Sequence, residues 1–318
     1  MSDLQPIRNT SRRGGIRILL VRRSIFRVAV SLPLVLSLSG CASMFVSKRK
    51  LLVPVPPPIV QTASADELVN KLNEQWSKFE SLTATVDIEA SHLKSKEGIA
   101  TDYPTFHANL LLRKPEMLHV LGHLPVLQTK MFDLVSDGHQ FTLVIYPLNE
   151  YYQDLNSRKG ESTKWYENLR PGPLFDAMVV RGIEKDDFYS VISQTITVED
   201  TVNKRLLTVP EYVLNIQRSK PNSHELYPVR VVHFHREDLM PYEQDLYGDQ
   251  GTLETQVIFG AYKDFDGARY PGTITLKRPE DEYQLVMNVQ RINVNPTLTD
   301  DQFQVEKIPD TYKKQELK

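Results

Sequence analysis

Two histidines one residue apart, His233 and His235 in "HFHRE", would project their imidazoles from one side of a β-strand, a spacing that can chelate zinc. Glu237 follows at the next step of that alternation and would supply a third donor, enough for a catalytic zinc but one short of a structural one. The same pair is equally at home without an ion on the wet side of a strand. His119 and His123 stand four apart, but Gly122 and Pro125 in "HVLGHLP" argue against a helix, so the spacing loses its meaning. "DFDGARYPGTIT", from Asp264, begins like a calcium loop and lacks the glutamate at its twelfth position; a hairpin turn explains it better. No nucleophile elbow, phosphate-cradling loop or glycine-rich dinucleotide turn is present, and no two carboxylates are paired by the sequence alone. The expectation is a protein that is no enzyme and needs no cofactor, with His233, His235 and Glu237 as the one candidate metal set.

Cys41 is the only cysteine among 318 residues, so it has neither a disulfide partner nor companions for a thiolate metal site. Seven arginines precede it, from Arg8 to Arg27, and Val28 to Leu38 is almost wholly apolar or small. Such a run is too short for a comfortable bilayer span, Pro33 interrupts it, and it matches the apolar region of an export signal. "LSGC", residues 38 to 41, closes it with small residues. This resembles the lipobox of bacterial lipoproteins, which implies cleavage after residue 40 and acylation of Cys41 as a membrane anchor. Ala42 stands where an aspartate would imply retention in the inner membrane, so the resemblance implies the outer membrane, facing the periplasm.

Removing residues 1 to 40 takes away seven arginines and Asp3, leaving 31 basic and 39 acidic residues and a net charge of −8. That balance does not suit nucleic acid. Residues 41 to 63 carry Pro54, Pro56, Pro57 and Pro58 and read as an extended tether, with Lys48, Arg49 and Lys50 placed to meet lipid headgroups or solvent.

The folded part is expected over residues 64 to 310, with 311 to 318 as a tail. Ser64 with Glu67 makes a capping box, and Leu68, Leu72, Trp76, Phe79 and Leu82 recur at helical spacing, which predicts an amphipathic helix over 65 to 82. The period then becomes two, first in "TATVDIEAS" and again around residues 106–112, 141–145, 253–259 and 283–289, with turn signals between the runs. This pattern predicts about ten or eleven strands, mostly antiparallel. "STKWYENLRPGPLFDAMVVRG" is helical in character, broken at Pro171-Gly172-Pro173, and puts Leu174, Phe175, Met178 and Val179 on a short second helix. The fold class expected is α+β, mainly β: a curled antiparallel half-barrel of about eleven strands, an N-terminal helix and a short inserted helical lid.

The stretches "LVNKLNEQWSKFESLTATVDIEA", "MFDLVSDGHQFTLVIYPLNEYY", "VIFGAYKDFDGARYPGTITLKRP" and "TLTDDQFQVEKIP" together resemble the LolA/LolB family of lipoprotein-sorting proteins over residues 65 to 310. The resemblance implies an incomplete barrel plugged by helices over a hydrophobic cavity, and Cys41 places the chain beside the lipid-anchored acceptor of that family. It implies acyl chains of lipoproteins or lipids as ligands and a periplasmic carrier protein as a delivering partner. The apolar-face residues would line the cavity: Val86, Ile88, Leu110 and Leu112 from the first strands, Met131, Phe141, Leu143 and Ile145 from the middle, and Val257, Phe259, Leu285 and Met287 from the last. Leu174, Phe175 and Met178 would form the lid. The alternatives are a packed core beneath a static helix, with the chain serving as a structural or assembly partner of an envelope complex, and a metal-dependent hydrolase built on the histidine pair.

Overall fold

The computed structural model describes residues 60–94, 97–124, 129–158, 166, 169–200 and 203–316, all within the second of two compact units, Pro54–Lys318. The signal segment, Cys41, the basic cluster and the prolines of the tether lie outside the described residues, as do residues 159–165. No described helix is long and apolar enough to cross a membrane.

Helix α1 (Ala65–Lys78) starts where its capping box predicts: Ser64 Oγ accepts from Glu67 N at 3.2 Å and Glu67 Oε2 accepts from Ser64 N at 2.6 Å. It ends four residues earlier than its apolar spacing suggests, because Phe79 turns extended (φ −78°, ψ 126°) and Leu82 belongs to strand β1 (Ser81–Lys94). There the backbone of Leu82 lies between Leu112 and Val294 of neighbouring strands. Sheet pairing on both sides outweighs one more helical turn whose apolar side chain fits the period by coincidence.

After β1 come β2 (Ile99–Asp102), β3 (Phe106–Arg113), β4 (Met117–His123), β5 (Lys130–Ser136), β6 (Gln140–Ile145) and β7 (Glu150–Leu155). Helix α2 (Pro171–Met178) separates these from β8 (Phe188–Asp200), β9 (Arg205–Ser219), β10 (Leu226–His235), β11 (Pro241–Tyr247) and β12 (Leu253–Phe259). The chain finishes with β13 (Tyr262–Phe265), β14 (Ala268–Pro271), β15 (Thr273–Arg278), β16 (Tyr283–Val294) and β17 (Lys313–Gln315). Fifteen strands form one open sheet in the order β17-β7-β6-β5-β4-β3-β1-β16-β15-β12-β11-β10-β9-β8, with β2 beside β1, and β13 and β14 make a separate hairpin. Only β17 runs parallel to its neighbour among these pairings. The α+β expectation of a largely antiparallel, unclosed sheet with two helices is therefore met, while the count of about eleven strands falls short. Strands that went unread have no usable alternation, since β2 and β17 span three or four residues and β8 exposes both faces; the four-residue β13 and β14 were legible only as a hairpin through their turn. The segment expected as a tail thus joins the sheet edge through β17.

Register carries one apolar face across the sheet. Ile88 pairs with Met287, Met287 with Ile274, Ile274 with Phe259, Val257 with Gln244, Gln244 with Val232 and Val232 with Leu214, all facing the same way. Helix α1 covers the β9–β10 end of this face with Leu68, Val69 and Leu72 against Leu214, Val232 and Phe234. Helix α2 covers the rest, burying Leu174, Phe175, Ala177 and Met178. Pro171-Gly172-Pro173, expected as a break, is instead the first turn of α2, where a missing proline N–H leaves no helical bond unmade.

The opposite face is partly roofed by the C-terminal segment. His119 Nδ1 reaches the Gln302 carbonyl at 2.7 Å and Nε2 reaches Asp133 Oδ1 at 2.9 Å. A carbonyl and a carboxylate both accept, so the ring donates from both nitrogens and is held as imidazolium. Burial opposes that charge, and Asp133 together with the Gln302 carbonyl outweighs it, raising the His119 pKa. A raised folded-state pKa gives stability that is fully present below about 6.5 and is lost as pH rises through the folded value. The urea midpoint of the protein is therefore expected to fall between pH 6 and 8.5, with a smaller fall in His119→Gln; equal slopes in the two proteins would remove His119 as the cause.

Candidate functional site

The two helices leave one apolar gap. A cavity of about 350 Å³ lies where α1 ends and α2 ends, walled by Trp76, Phe79, Leu82, Met178, Val179, Val180, Phe259, Tyr262 and Tyr270. Trp76 and Phe79 stack with centroids 5.8 Å apart, and the Lys114 ammonium sits 4.5 Å above the Trp76 ring while donating to the Trp76 carbonyl. The indole is thereby fixed at the mouth. On the far wall Tyr270 Oη donates to the Met178 carbonyl at 2.6 Å and Tyr262 Oη to the Pro241 carbonyl at 2.8 Å. Burial pushes both phenols up, so they stay neutral donors and present only ring surface to the cavity. The rim carries two balanced ion pairs, exposed Lys78 with Glu74 and exposed Arg269 with Asp238 at 2.7 Å. Nothing lining this cavity is a nucleophile held by a general base. Its chemistry is that of an apolar slot with charged edges.

Of the residues named from the sequence, Phe259 and Met178 line this cavity. Val86, Ile88, Leu110, Leu112, Phe141, Leu143, Ile145, Val257, Leu285 and Met287 lie in the core beneath α2, with Leu174 and Phe175, and each is at most 5 % exposed; Met131 packs at its margin. The sequence pattern marks Trp76, Phe79 and Leu82 only as a helix stripe, and Tyr262 and Tyr270 only as residues of a hairpin. Nothing in their local spacing singles them out, since a helix end, a helix C-terminus and a hairpin supply the three walls.

Behind Trp76 a second cavity of about 300 Å³ is polar. Arg230, 6 % exposed, donates to the carbonyls of Arg181 and Gly182 at 2.8 Å each, and burial pulls its guanidinium down to about 10. Arg181 bridges Asp176 at 2.5 Å and Glu116 at 2.6 Å. A larger cavity of about 600 Å³ lies between β5–β7 and residues 303–308 and is edged mainly by charged and amide side chains.

The expected His233, His235 and Glu237 set is not brought together. Strand β10 ends at His235 after a register shift at His233/Phe234, so Glu237 sits in the following turn and leaves the alternation. His235 stacks on Tyr242, 4.1 Å between centroids and 16° from parallel. His233 Nδ1 instead lies 3.2 Å from Glu211 Oε2, and a donor atom of His233 comes within 4.8 Å of Glu243 and Asp245. Burial opposes ionisation of Glu211, but hydrogen bonds from Tyr242, Gln194 and His233 outweigh it and hold the carboxyl below its ordinary value; burial pushes Glu243 and Asp245 up.

No protein-family model matches the chain, and no curated protein matches it. Among solved structures the chain is similar to a LolA superfamily protein from Nitrosomonas europaea, at 13 % identity and a TM-score of 0.47, over 77 % of this chain and 99 % of that one. It is similar to a domain described as an outer membrane lipoprotein-sorting protein from Vibrio parahaemolyticus, at 14 % identity and a TM-score of 0.42, over 75 % and 94 % of the two chains. A DUF1329 family protein from Desulfovibrio piger is similar at 12 % identity and a TM-score of 0.41, over 76 % and 95 %. The open, largely antiparallel sheet with helices on its apolar face that the sequence leads one to expect is the arrangement this chain has.

Proposed function

We propose that the chain is an outer-membrane lipoprotein, anchored through Cys41 and facing the periplasm, that takes an acyl chain of a lipoprotein or lipid into the cavity beside Trp76. The observation that carries this reading is the cavity itself: rings and aliphatic side chains from three separate elements surround about 350 Å³, and the exposed Lys78 and Arg269 stand at its edge. An apolar slot selects hydrocarbon without directional bonds. About ten methylenes moved into it would gain about 8 kcal/mol before the costs of ordering the chain. The rim of two ion pairs suits a polar headgroup left outside. In this reading a periplasmic carrier delivers the cargo, and the resemblance to LolA/LolB proteins stated from the sequence accords with that role. The alternative, an assembly partner with a filled core, is favoured by one observation: the edge strand β8 exposes Phe188, Tyr189, Ile192 and Val198.

A photo-crosslinking amino acid placed at Val179 in the full chain is expected to give adducts with acylated molecules in cells, and the same group at the exposed Glu89 is not. Adducts with an envelope protein alone, or equal yields at both positions, would move the function to the β8 edge. For the anchor, mass spectrometry of the mature chain is expected to find an N-terminal Cys41 carrying acyl chains, and Cys41→Ser is expected to leave the membrane fraction. A mature protein with an unmodified thiol at position 41 would defeat this part of the reading.

A further inference from the structure

The outer face of β10 and β11 gathers groups that acyl-chain binding does not use. His233 pairs in register with Glu243, and Val231 with Asp245, so alternation sets the imidazole and both carboxylates on the side away from the helices. Gln244 between them points inward, donating to the Asp176 carbonyl of α2. One donor atom from each of His233, Glu243 and Asp245 lies within 4.8 Å of the other two.

Two independent features distinguish this group from a chance meeting of polar side chains. First, the histidine is oriented from behind. Glu211 is only 1 % exposed, and its carboxylate accepts from Tyr242 Oη, from Gln194 Nε2 at 2.7 Å, and from His233 Nδ1 at 3.2 Å. A carboxylate can only accept, so Nδ1 carries the proton and the lone pair of Nε2 is left for another partner. This carboxylate–histidine relation is the one that orients metal-binding imidazoles. Second, Asp245 Oδ1 is shielded from water and accepts no hydrogen bond, although the Gln256 amide, which donates to Glu243 at 3.1 Å, also acts on the Asp245 carboxyl group. A carboxylate oxygen withdrawn from water without a partner is costly, and a cation is the partner that removes the cost. The charges agree: three carboxylates, of Glu211, Glu243 and Asp245, face one imidazole, and Lys277 on β15 is the ammonium that acts on Glu243.

We propose that His233, Glu243 and Asp245 bind one divalent transition-metal ion, of the zinc or manganese class that accepts mixed nitrogen and oxygen donors, with Glu211 as the residue that positions the histidine. Three protein donors leave the remaining coordination positions to water or an outside ligand. The ion clamps β10 to β11 on the face opposite the Gln244 contact with α2. His235 and Glu237, the partners that the sequence pattern offers, take no part.

Titration of the full chain, purified in detergent, with Co2+ tests this. The expected result is saturation at one ion per chain, with visible d–d absorption that Zn2+ abolishes. His233→Ala is expected to lose binding, Glu243→Gln to weaken it at least tenfold, and Glu211→Gln to weaken it about 10- to 100-fold. His235→Ala and Glu237→Gln are expected to bind as the unaltered protein does. No stoichiometric binding by the unaltered protein would overturn the proposal without any variant being needed, and so would unchanged affinity in folded His233→Ala or Glu243→Gln.

Discussion

The inner face that strand pairing carries, across several bulges, from β1 through β16, β15, β12, β11 and β10 to β9 is apolar apart from groups such as Gln244; it has to be covered, and two short helices among the described residues cover most of it. The β13–β14 hairpin shares the work, with Tyr262, Phe265, Ala268 and Tyr270 packed against the core. Leu68, Val69 and Leu72 of α1 take one end, and Leu174, Phe175 and Met178 of α2 take the other. The spaces on the inner face arise from the way these two pieces fail to meet. The gap between the end of α1 and the end of α2 is the apolar cavity beside Trp76, and the seam behind it is where polar groups are admitted to the inner face.

That seam explains why α2 is held as firmly as an eight-residue helix can be. Isolated helices of this length are marginal, so tertiary contacts must hold it. Gln244 donates to the Asp176 carbonyl, Tyr270 to the Met178 carbonyl, and Arg181 returns to pair with Asp176. Arg230 reaches the carbonyls of Arg181 and Gly182 just beyond. Lifting α2 away as a lid would break these bonds and expose Phe175, at about 1.5–3 kcal/mol for that side chain alone. At the α1 end the wall is a stacked Trp76–Phe79 pair with Lys114 over the indole.

The outer face has its own organisation, and it is not simply the wet side of a sheet. The C-terminal segment crosses β4 and β5 through the His119 imidazolium, buries Phe303 beneath Arg113, and then adds β17 to the edge. Further along, His233 and its three carboxylates lie where β9, β10 and β11 run side by side. Both places concentrate charge at partly buried positions on the face away from the apolar cavity. The inner face thus supplies hydrocarbon surface, while charged groups on the outer face tie strands and the C-terminal segment together.

Local patterns in the sequence determined much of this. The capping box of Ser64 and Glu67 marked the start of α1, alternation marked β1, β3, β6, β12 and β16, and the same alternation identified the core residues of those five strands, while those of β4, β5, β9, β10 and β15 went unnamed. These are readable because burial of one face imposes a period that does not depend on distant partners. Short strands such as β2 and β17, and β8 with both faces exposed, impose no such period and were invisible. Which apolar residues remain beside a cavity and which are packed away was decided only by where α1 and α2 stop, and α1 stops early because β1 claims Leu82. The histidine pair shows the same division. Spacing offered Glu237 as the third donor, but a register shift and the end of β10 removed it, and cross-strand pairing brought Glu243 and Asp245 to His233 instead. Period is a property of one segment and is written in its residues; register and helix ends are settled by competition between segments far apart in the chain.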